Sequence, residues 1–145
     1  MANKIKFKIV TPERIVFEDV VDQVTLPASG GQVTILPNHC SYITSLLAGE
    51  IIFKKDGKEV NMATSGGFLE FINNTLIVLA DRAEKAEEID LQRAEEARKR
   101  AEKLKKEKII MDESEYARVA AAIEMEAARI RVAKKHRTRL GIKID

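Results

Sequence analysis

The chain has one cysteine, Cys40, and no tryptophan among its 145 residues. A single cysteine cannot form a disulfide within the chain, which favours a reducing compartment. No apolar run exceeds five residues, as at 76–80, whereas a helix that spans a bilayer needs about 20. The N-terminus alternates charged and apolar residues, so a secretory signal is not expected. We therefore expect a soluble protein that reaches a membrane only through its partners.

Proline and glycine are nearly missing from the second half. All three prolines and six of the seven glycines precede Asp81. Residues 1–80 contain 7 Lys/Arg and 8 Asp/Glu, whereas residues 81–145 contain 18 and 15. This shift in composition predicts a boundary near residues 81–89. We place it between a docking domain at residues 1–86 and a helical domain at residues 87–145.

The first half has the period-two pattern of β-strands. Short β-type runs follow one another at 4–10, 15–17, 20–26, 33–36, 42–47, 50–54, 60–62, 68–72 and 75–80. Asp56-Gly57 predicts a tight hairpin, because such turns need positive φ, and Asn73-Asn74 predicts a second turn. Many short strands with frequent turns predict an N-terminal β-sandwich, or flattened barrel.

After residue 80 the apolar spacing becomes helical. Apolar residues, many of them alanine, recur every three or four positions in two segments, at Ala94, Ala97, Ala101 and Leu104 and then at Tyr116, Ala120, Ile123, Ala127 and Ile130. Asp90 and Asp112 are the predicted N-caps. The segment 109–111 is the only connector between the two helices. The pattern predicts a C-terminal antiparallel α-helical hairpin, giving a β + α fold class.

The hairpin is expected to be weakly held. Acid–base pairs four residues apart are predicted along the first helix, at Glu95–Lys99, Glu96–Arg100 and Glu102–Lys106. Burial contributes about 0.8 kcal/mol per CH₂ group, so a seam of alanines stabilises far less than one of leucines. Helices of this length are marginal alone in water. The hairpin should therefore open, or exchange partners, for a few kcal/mol.

Patterns of catalytic and metal-binding residues are not found. The two histidines, His39 and His136, lie in a predicted turn and in a basic tail. There is no Gly-x-Ser-x-Gly elbow and no cysteine–histidine cluster. Neither Gly-Gly pair is followed by the Lys-Ser/Thr and helix start of a phosphate loop. We predict a protein that is not an enzyme, with no catalytic residue and no metal site.

The end of the second helix is strongly basic. Against one acid, Asp145, it carries Arg129, Arg131, Lys134, Lys135, Arg137, Arg139 and Lys143. Such a tail is typical of a solvated helix end that complements the helix dipole, or of a surface that binds nucleic acid or an acidic protein. The tail has no aromatic residue on which bases could stack. An acidic protein partner is therefore favoured, and a nucleic-acid-binding module is kept as an alternative.

Six stretches together resemble one family, the epsilon subunit of F-type ATP synthase. They are Val-Thr-Pro at 10–12, Ile-Leu-Pro-Asn-His at 35–39, Ser-Gly-Gly-Phe-Leu-Glu at 65–70, Thr-Leu-Ile-Val-Leu-Ala at 75–80, Ile-Asp-Leu-Gln-Arg-Ala at 89–94 and Arg-Ile-Arg-Val at 129–132. The resemblance covers nearly the whole chain, and the order and spacing of the stretches make it specific.

The resemblance implies a non-catalytic central-stalk subunit of a proton- or sodium-driven ATP synthase, peripheral on the cytoplasmic side of a bacterial membrane. In the family the sandwich docks on the gamma subunit and the c ring. Gln32 and His39 are then candidate rotor contacts, although Gln32 replaces a common acid, Thr34 and Asn38 replace glycines and Ser41 replaces a proline.

In the same family the helices switch between a folded hairpin and an extended form that reaches the alpha and beta subunits and blocks ATP hydrolysis. The implied contacts with this catalytic head are Arg129, Arg131, Lys134, Lys135, Arg137 and Arg139.

Some members of the family also bind ATP on the folded hairpin, through an Ile-Asp-x-x-Arg-Ala motif and arginines of the second helix. Here Asp90 and Arg93 fit the motif, Arg129 matches one arginine, and Met125 stands at the place of the other. The resemblance makes Asp90, Arg93 and Arg129 candidate contacts for a regulatory ATP, the only cofactor considered. The alternative is that Asp90 is only a helix cap and Arg93 a surface residue.

Overall fold

The computed structural model describes residues 3–108 and 110–142. Strands make up the first part of the described chain and two helices the second. The strands are β1 (Ile5–Val10), β2 (Ile15–Val21), β3 (Gln23–Ala28), β4 (Gly31–Ile35), β5 (Tyr42–Leu46), β6 (Gly49–Lys55), β7 (Lys58–Thr64), β8 (Gly67–Ile72), β9 (Thr75–Ala80) and β10 (Ala83–Lys85). A 3₁₀ turn at Ala86–Glu88 leads to α1 (Leu91–Glu107) and α2 (Glu113–Arg139).

Two of the predicted turns carry the backbone geometry expected of them. Asp56 and Gly57 both have positive φ, 50° and 77°, between β6 and β7. Asn73 and Asn74, with φ of 50° and 56°, join β8 to β9 in the same way. Two consecutive residues of positive φ twist the chain so that it matches the right-handed twist of the flanking strands.

The strands form a sandwich folded from one continuous sheet in the order β10-β7-β6-β3-β5-β8-β9-β1-β2, with β4 paired to β3. Only Ala28 and Leu46 pair between β3 and β5, so the sheet bends there into two layers. Phe7 of β1 packs edge-on against Phe53 of β6, with ring centroids 5.4 Å apart. Such contacts fill the core with alternate residues of both layers, as a β-sandwich requires.

Two ion pairs join the two layers at the side opposite this bend. Lys55 of β6 binds Asp19 of β2, and Lys4 binds Asp56 at 2.7 Å. Hydrogen bonding to Lys55 holds the pKa of the Asp19 carboxyl below its usual value of 3.8, and Lys4 does the same for Asp56. A folded-state pKa below the unfolded one gives stabilisation that is complete above pH 3.8 and is lost as the pH falls through the lowered pKa.

Asp19→Asn is therefore expected to lower the melting temperature at neutral pH and to flatten its decline as the pH falls below 3.8. The asparagine can still accept the backbone hydrogen bond from Val20, so the variant removes mainly the charge. Circular dichroism melts across this pH range measure the effect. Glu18→Gln, which loses only a longer pair with Lys8, serves as the control. An Asp19→Asn chain with the pH profile of the unmodified protein would contradict the assignment.

The two helices form the predicted antiparallel hairpin, folded down on the sandwich. Both predicted N-caps are present, since Asp90 accepts from the Arg93 backbone N–H at 3.1 Å and Asp112 from that of Glu115 at 2.7 Å. Residue 109 of the predicted connector lies outside the described residues. The end of α2 packs with α1 and the sheet in a second apolar cluster, of Ala63, Ala86, Ile89, Leu91, Ala94, Ile130, Val132 and Ala133.

Packing along the hairpin weakens with distance from the sandwich. Ala94 and Ile130 are buried, Ala101 and Ile123 are half-buried, and Tyr116 is 51% exposed. The predicted seam is therefore closed at the sandwich and open towards the tip. Little apolar surface is buried at that end, so little free energy holds it closed.

The acid–base pairs predicted along α1 are wrong. Glu95 instead binds Lys134 of α2 at 3.3 Å, and Glu102 binds Arg98 rather than Lys106. The prediction considered the helix alone, whereas a charged side chain beside a second helix has partners there too. The Glu95–Lys134 pair therefore ties the two helices together.

Candidate partner-docking sites

One outer face of the sandwich carries several large, exposed apolar side chains. Neighbouring positions across the sheet place Phe68 of β8 beside Leu79 of β9, which in turn lies beside Val10 of β1. Phe68 is 60% exposed and Leu79 54%, and Ile43 of β5, one strand further, is 71% exposed. We call the exposed residues Ile43, Phe68, Ile72 and Leu79 the outer apolar face.

These side chains contribute nothing to the core, because strand residues alternate between faces. Leu69 and Phe71 of β8 point inward and are buried, which leaves Phe68 and Ile72 outside. A shallow cavity of about 370 Å³ lies along Phe68 and Leu79. Glu70 is also exposed on this face, between Phe68 and Ile72 and beside Ile43. The face therefore combines large exposed apolar side chains with one acid, a composition typical of an interaction surface.

The two candidate rotor contacts lie at opposite ends of β4. Gln32 is the second residue of the strand and is exposed, whereas His39 follows the strand in the loop before β5. The three residues from Gln32 to the end of the strand span about 10 Å. Gln32 pairs with Pro27 of β3, whereas the His39 ring packs on Phe71 of β8, so the two residues contact different strands.

The loop that carries His39 is tied to the sandwich. Asn38 has φ of 64°, the left-handed region that explains why a glycine is common there. Asn38 and Asn74 exchange two hydrogen bonds, at 2.5 and 3.0 Å. The His39 ring packs edge-on against Phe71 at 5.8 Å, and its Nδ1 lies 2.8 Å from the Cys40 carbonyl oxygen. His39 is thus positioned by the core, while Cys40 is exposed.

Arg129 lies at the junction of sandwich and hairpin, between two acids. It binds Glu84 of β10 through two nitrogens and Glu126, one turn earlier on α2, at 2.8 Å. Burial by itself would lower the pKa of Arg129, but the hydrogen bonds and charges of Glu84 and then Glu126 outweigh it and leave that pKa raised. This side chain is 19% exposed.

The three candidate ATP contacts do not share one cavity in the structure. Arg129 borders a cavity of about 340 Å³ between the sandwich and α2, together with Glu84 and Met125. Asp90 and Arg93 do not line this cavity. They contact each other at the start of α1, where the Asp90 carboxylate accepts from the Arg93 backbone. The predicted cap is confirmed, and ATP binding stays a prediction.

The basic residues of α2 fall into two groups. Those that bind acids of this chain are Arg129, Lys134, Lys135 and Arg139. Arg131 and Arg137 form no ion pair with any acid in the described part of the chain, and Lys143 lies outside that part. Because four of the six candidate head contacts already have acidic partners, less positive charge is left for nucleic acid.

Residues 3–108 and 110–142 contain no group of three or more His, Cys, Asp or Glu placed to hold a metal ion. Neither helix has the length and apolar character, within the described range, to cross a membrane.

Comparison with known proteins identifies the family. Residues 4–86 match the ATP synthase delta/epsilon chain beta-sandwich domain. Over 93% of its length the chain is 41% identical to the ATP synthase epsilon chain of Trichlorobacter lovleyi, of which 97% is covered. The chain belongs to the ATP synthase epsilon family. The epsilon chain of Dehalococcoides mccartyi strain CBDB1 is 43% identical over 92% of this chain and 95% of its own length. Epsilon is a non-catalytic subunit of the complex, as predicted.

Two solved structures share the epsilon fold at low sequence identity. One is a chain of the Euglena gracilis mitochondrial ATP synthase, with a TM-score of 0.73, 20% identity and coverage of 86% of this chain and 78% of the other. The second is from the Tetrahymena thermophila mitochondrial ATP synthase central stalk and c ring, with a TM-score of 0.58, 15% identity and coverage of 92% and 96%. The predicted fold, a β-sandwich followed by a helical hairpin, is confirmed.

The outer apolar face was missed in the sequence, although a signal for it exists. The run Phe-Leu-Glu-Phe-Ile at 68–72 is apolar at positions that belong to both faces of a strand. In a two-layer sandwich only one face of each strand lies in the core. Apolar residues on the other face therefore indicate that something else covers it.

Proposed function

We propose that this epsilon chain is a central-stalk subunit that couples the rotor of a proton- or sodium-driven bacterial ATP synthase to its catalytic head. Residues 1–86 act as the docking domain and residues 87–145 as the regulatory domain. In the complex the chain is peripheral, on the cytoplasmic side of the membrane. Its C-terminal helices leave the sandwich and inhibit ATP hydrolysis.

The observation that carries this proposal is the packing of the hairpin. Its tip is open, its seam is built of small side chains, and its end is tied to the sandwich by ion pairs. Exposed ion pairs contribute about 0.2–1 kcal/mol each. Such a hairpin can detach without unfolding the sandwich, whose core lies between the two sheet layers.

The rotor side of the proposal rests on the sandwich. The outer apolar face suits the gamma subunit, because a stable interface needs a patch of desolvated apolar anchors. Gln32 and His39 suit the c ring and the adjoining stalk as two separate contacts. Capture of the full-length chain by a purified gamma subunit tests this arrangement, and failure to bind would remove the chain from the stalk.

If α2 contacts the alpha and beta subunits, Arg131 and Arg137 should contribute to the inhibition of ATP hydrolysis, since neither forms an ion pair in the described part of the chain. Replacing Arg131 and Arg137 together by alanine is expected to weaken inhibition of ATP hydrolysis by the reconstituted enzyme. High salt should also weaken the inhibition, since charges are screened over about 8–10 Å already at physiological ionic strength. ATPase assays measure both effects.

Arg118→Ala, an exposed arginine in the first half of α2, is the control for that pair. It removes a positive charge from the same helix outside the basic tail. Equal inhibition by the double variant and by the unmodified chain would contradict contact through these arginines.

ATP sensing is the alternative that the Arg129 cavity favours. The phosphates of ATP would replace Glu84 or Glu126 as partners of the Arg129 guanidinium, which binds phosphate and carboxylate alike. ATP is then expected to raise the melting temperature of the isolated chain, because a ligand that binds only the folded state stabilises it. Arg129→Lys should reduce the shift. Identical melting temperatures with and without ATP would contradict ATP binding by the isolated chain.

A further inference from the structure

Another cavity, of about 180 Å³, lies between the sandwich and the end of α2. It has no lining residue in common with the Arg129 cavity. Strand β10 pairs only with residues 62–64 of β7, and the chain then leaves the sheet in the 3₁₀ turn. Within the described chain, the residues of β7 before Met62 therefore have no strand on that side, and the cavity lies beside them. We call it the β7 cavity.

Apolar side chains form one wall of the β7 cavity. Phe17 of β2 and Phe53 of β6 line it, with ring centroids 4.5 Å apart. Phe53 is buried in the sandwich core, whereas Phe17 is only partly buried against it. Val60 of β7 and Ala86 of the 3₁₀ turn extend the wall. A flat aromatic group suits such a wall, because aromatic rings pack favourably edge-on or offset against one another.

Two residues that line the cavity each have a buried side-chain atom without a hydrogen-bond partner in the described structure. These atoms are the side-chain oxygen of Asn61 and Nδ1 of His136. Asn61 is 4% exposed, and its side-chain N–H₂ donates to Glu50 at 2.6 Å. Because a carboxylate only accepts, the Asn61 nitrogen must face Glu50, and the oxygen is left without a donor. Leaving a buried polar atom unpaired costs free energy, so these residues favour a bound group that carries a hydrogen-bond donor.

The charged residues of the cavity lie on its solvent side. Its lining includes three bases and two acids, namely Lys55, Lys85, Arg139, Glu59 and Glu87. The side chains of Lys55 and Arg139 are 39% and 42% exposed, and they bind Asp19 and Glu59 respectively. Lys85 is half-buried and forms no ion pair within the part of the chain that the structure describes. One positive charge is therefore available at the mouth of the cavity for an anion.

We propose that the β7 cavity binds a small aromatic acid that carries a hydroxyl or amino group at the end opposite its carboxylate. The ring lies against Phe17 and Phe53, and the carboxylate meets Lys85 at the mouth. A hydroxyl group donates to the Asn61 oxygen and accepts from Nδ1–H of His136, whereas an amino group donates to both atoms in the other histidine tautomer. The cavity is smaller than the roughly 300–1,000 Å³ of sites for drug-sized ligands, so a single ring fits it. This inference does not depend on the proposed function, because the site lies within the isolated chain.

Titration of the isotope-labelled full-length chain with para-hydroxybenzoate tests the site by two-dimensional NMR. Saturable shifts are expected at Asn61, Ala86 and His136. Benzoate lacks the hydroxyl group and leaves both buried atoms unpaired, so it should bind about tenfold more weakly. Phenol lacks the carboxylate and should bind about threefold more weakly. Equal binding of benzoate, or shifts confined to residues outside the cavity, would overturn the inference. Absence of any saturable shift would do the same, since water alone would then fill the cavity.

Two substitutions at the mouth should change the affinity in opposite directions, which a general loss of stability could not do. Lys85→Met removes the available positive charge and should weaken binding of para-hydroxybenzoate about threefold. Glu87→Gln removes a negative charge and should strengthen binding. Neither should affect phenol, which has no carboxylate. Lys58→Met, at an exposed position of β7 that does not line the cavity, is the control. Equal affinities of Lys85→Met and Lys58→Met would contradict the placement of the carboxylate.

His136→Phe tests the inner end of the site, because it keeps an aromatic ring and removes Nδ1. It should reduce the preference for para-hydroxybenzoate over benzoate, whereas a loss of structure would weaken both probes alike. Circular dichroism melts show whether the variant is folded. If it is not, the probe series on the unmodified chain and the two variants at the mouth still decide the question. A folded His136→Phe chain with the full preference for the hydroxyl group would contradict the placement of that group.

Discussion

A chain that ends at Ala86 is expected to assemble into the enzyme and to raise its ATP hydrolysis several-fold. The core of the sandwich lies between its own layers, so the truncated chain keeps the aromatic contacts of Phe7, Phe17 and Phe53. The surface that loses its cover is formed chiefly by small residues such as Ala63 and Ala86. The outer apolar face on the opposite layer is untouched, whereas the proposed contacts of α2 with the head are removed.

The measurement is ATP hydrolysis by enzyme reconstituted with the full-length or the truncated chain. Binding of both to the gamma subunit is the control, because an enzyme that has lost the subunit altogether would give a similar increase. Bound truncated chain with unchanged hydrolysis would remove inhibition by the helices from the proposal.

Local chemistry was predictable wherever neighbouring residues decide the structure. Asp56-Gly57 turns the chain because its backbone must adopt positive φ, and Asp90 begins α1 because its carboxylate can reach the free backbone N–H of Arg93. These features depend on two to four consecutive residues. The sequence contains all the information that such a prediction needs.

Contacts between distant segments were not predictable in the same way. The resting position of the hairpin was left open, and the short strand β10 was not predicted. Both depend on β7, where Ala63 of the outer face is buried in a cluster with residues of α2. The residue types at Asn61 and Ala63 do not by themselves predict that a helix packs on this face of β7.

The candidate ATP contacts illustrate the same limit. The capping pattern correctly placed Asp90 at the start of α1, but spacing along the chain could not reveal the partners of Arg129. Glu84 lies 45 residues before Arg129 and meets it only because β10 adds to the edge of the sheet beside β7. A charged residue therefore indicates that a partner of opposite charge is needed, but its place in the sequence does not identify that partner.

Phe68→Asp is expected to weaken binding of the gamma subunit by about 30-fold or more, as loss of an interface anchor costs about 2 kcal/mol or more. Phe68 is 60% exposed and lies beside Leu79 in the outer apolar face. An aspartate there leaves the core intact but would place a charge in a desolvated interface. The melting temperature of the free chain should change little.

Leu104→Asp is the matched control, since Leu104 is an exposed apolar residue, at 46%, on the hairpin rather than on the sandwich. It receives the same charge away from the proposed interface, so binding to gamma should be unaffected. Titration of each variant against immobilised gamma subunit separates the two surfaces. Should Phe68→Asp bind like the unmodified chain, the outer apolar face would have to be covered by something other than gamma. Should Leu104→Asp be the weaker binder, the stalk would hold the hairpin, and the helices could not act as a detachable inhibitor.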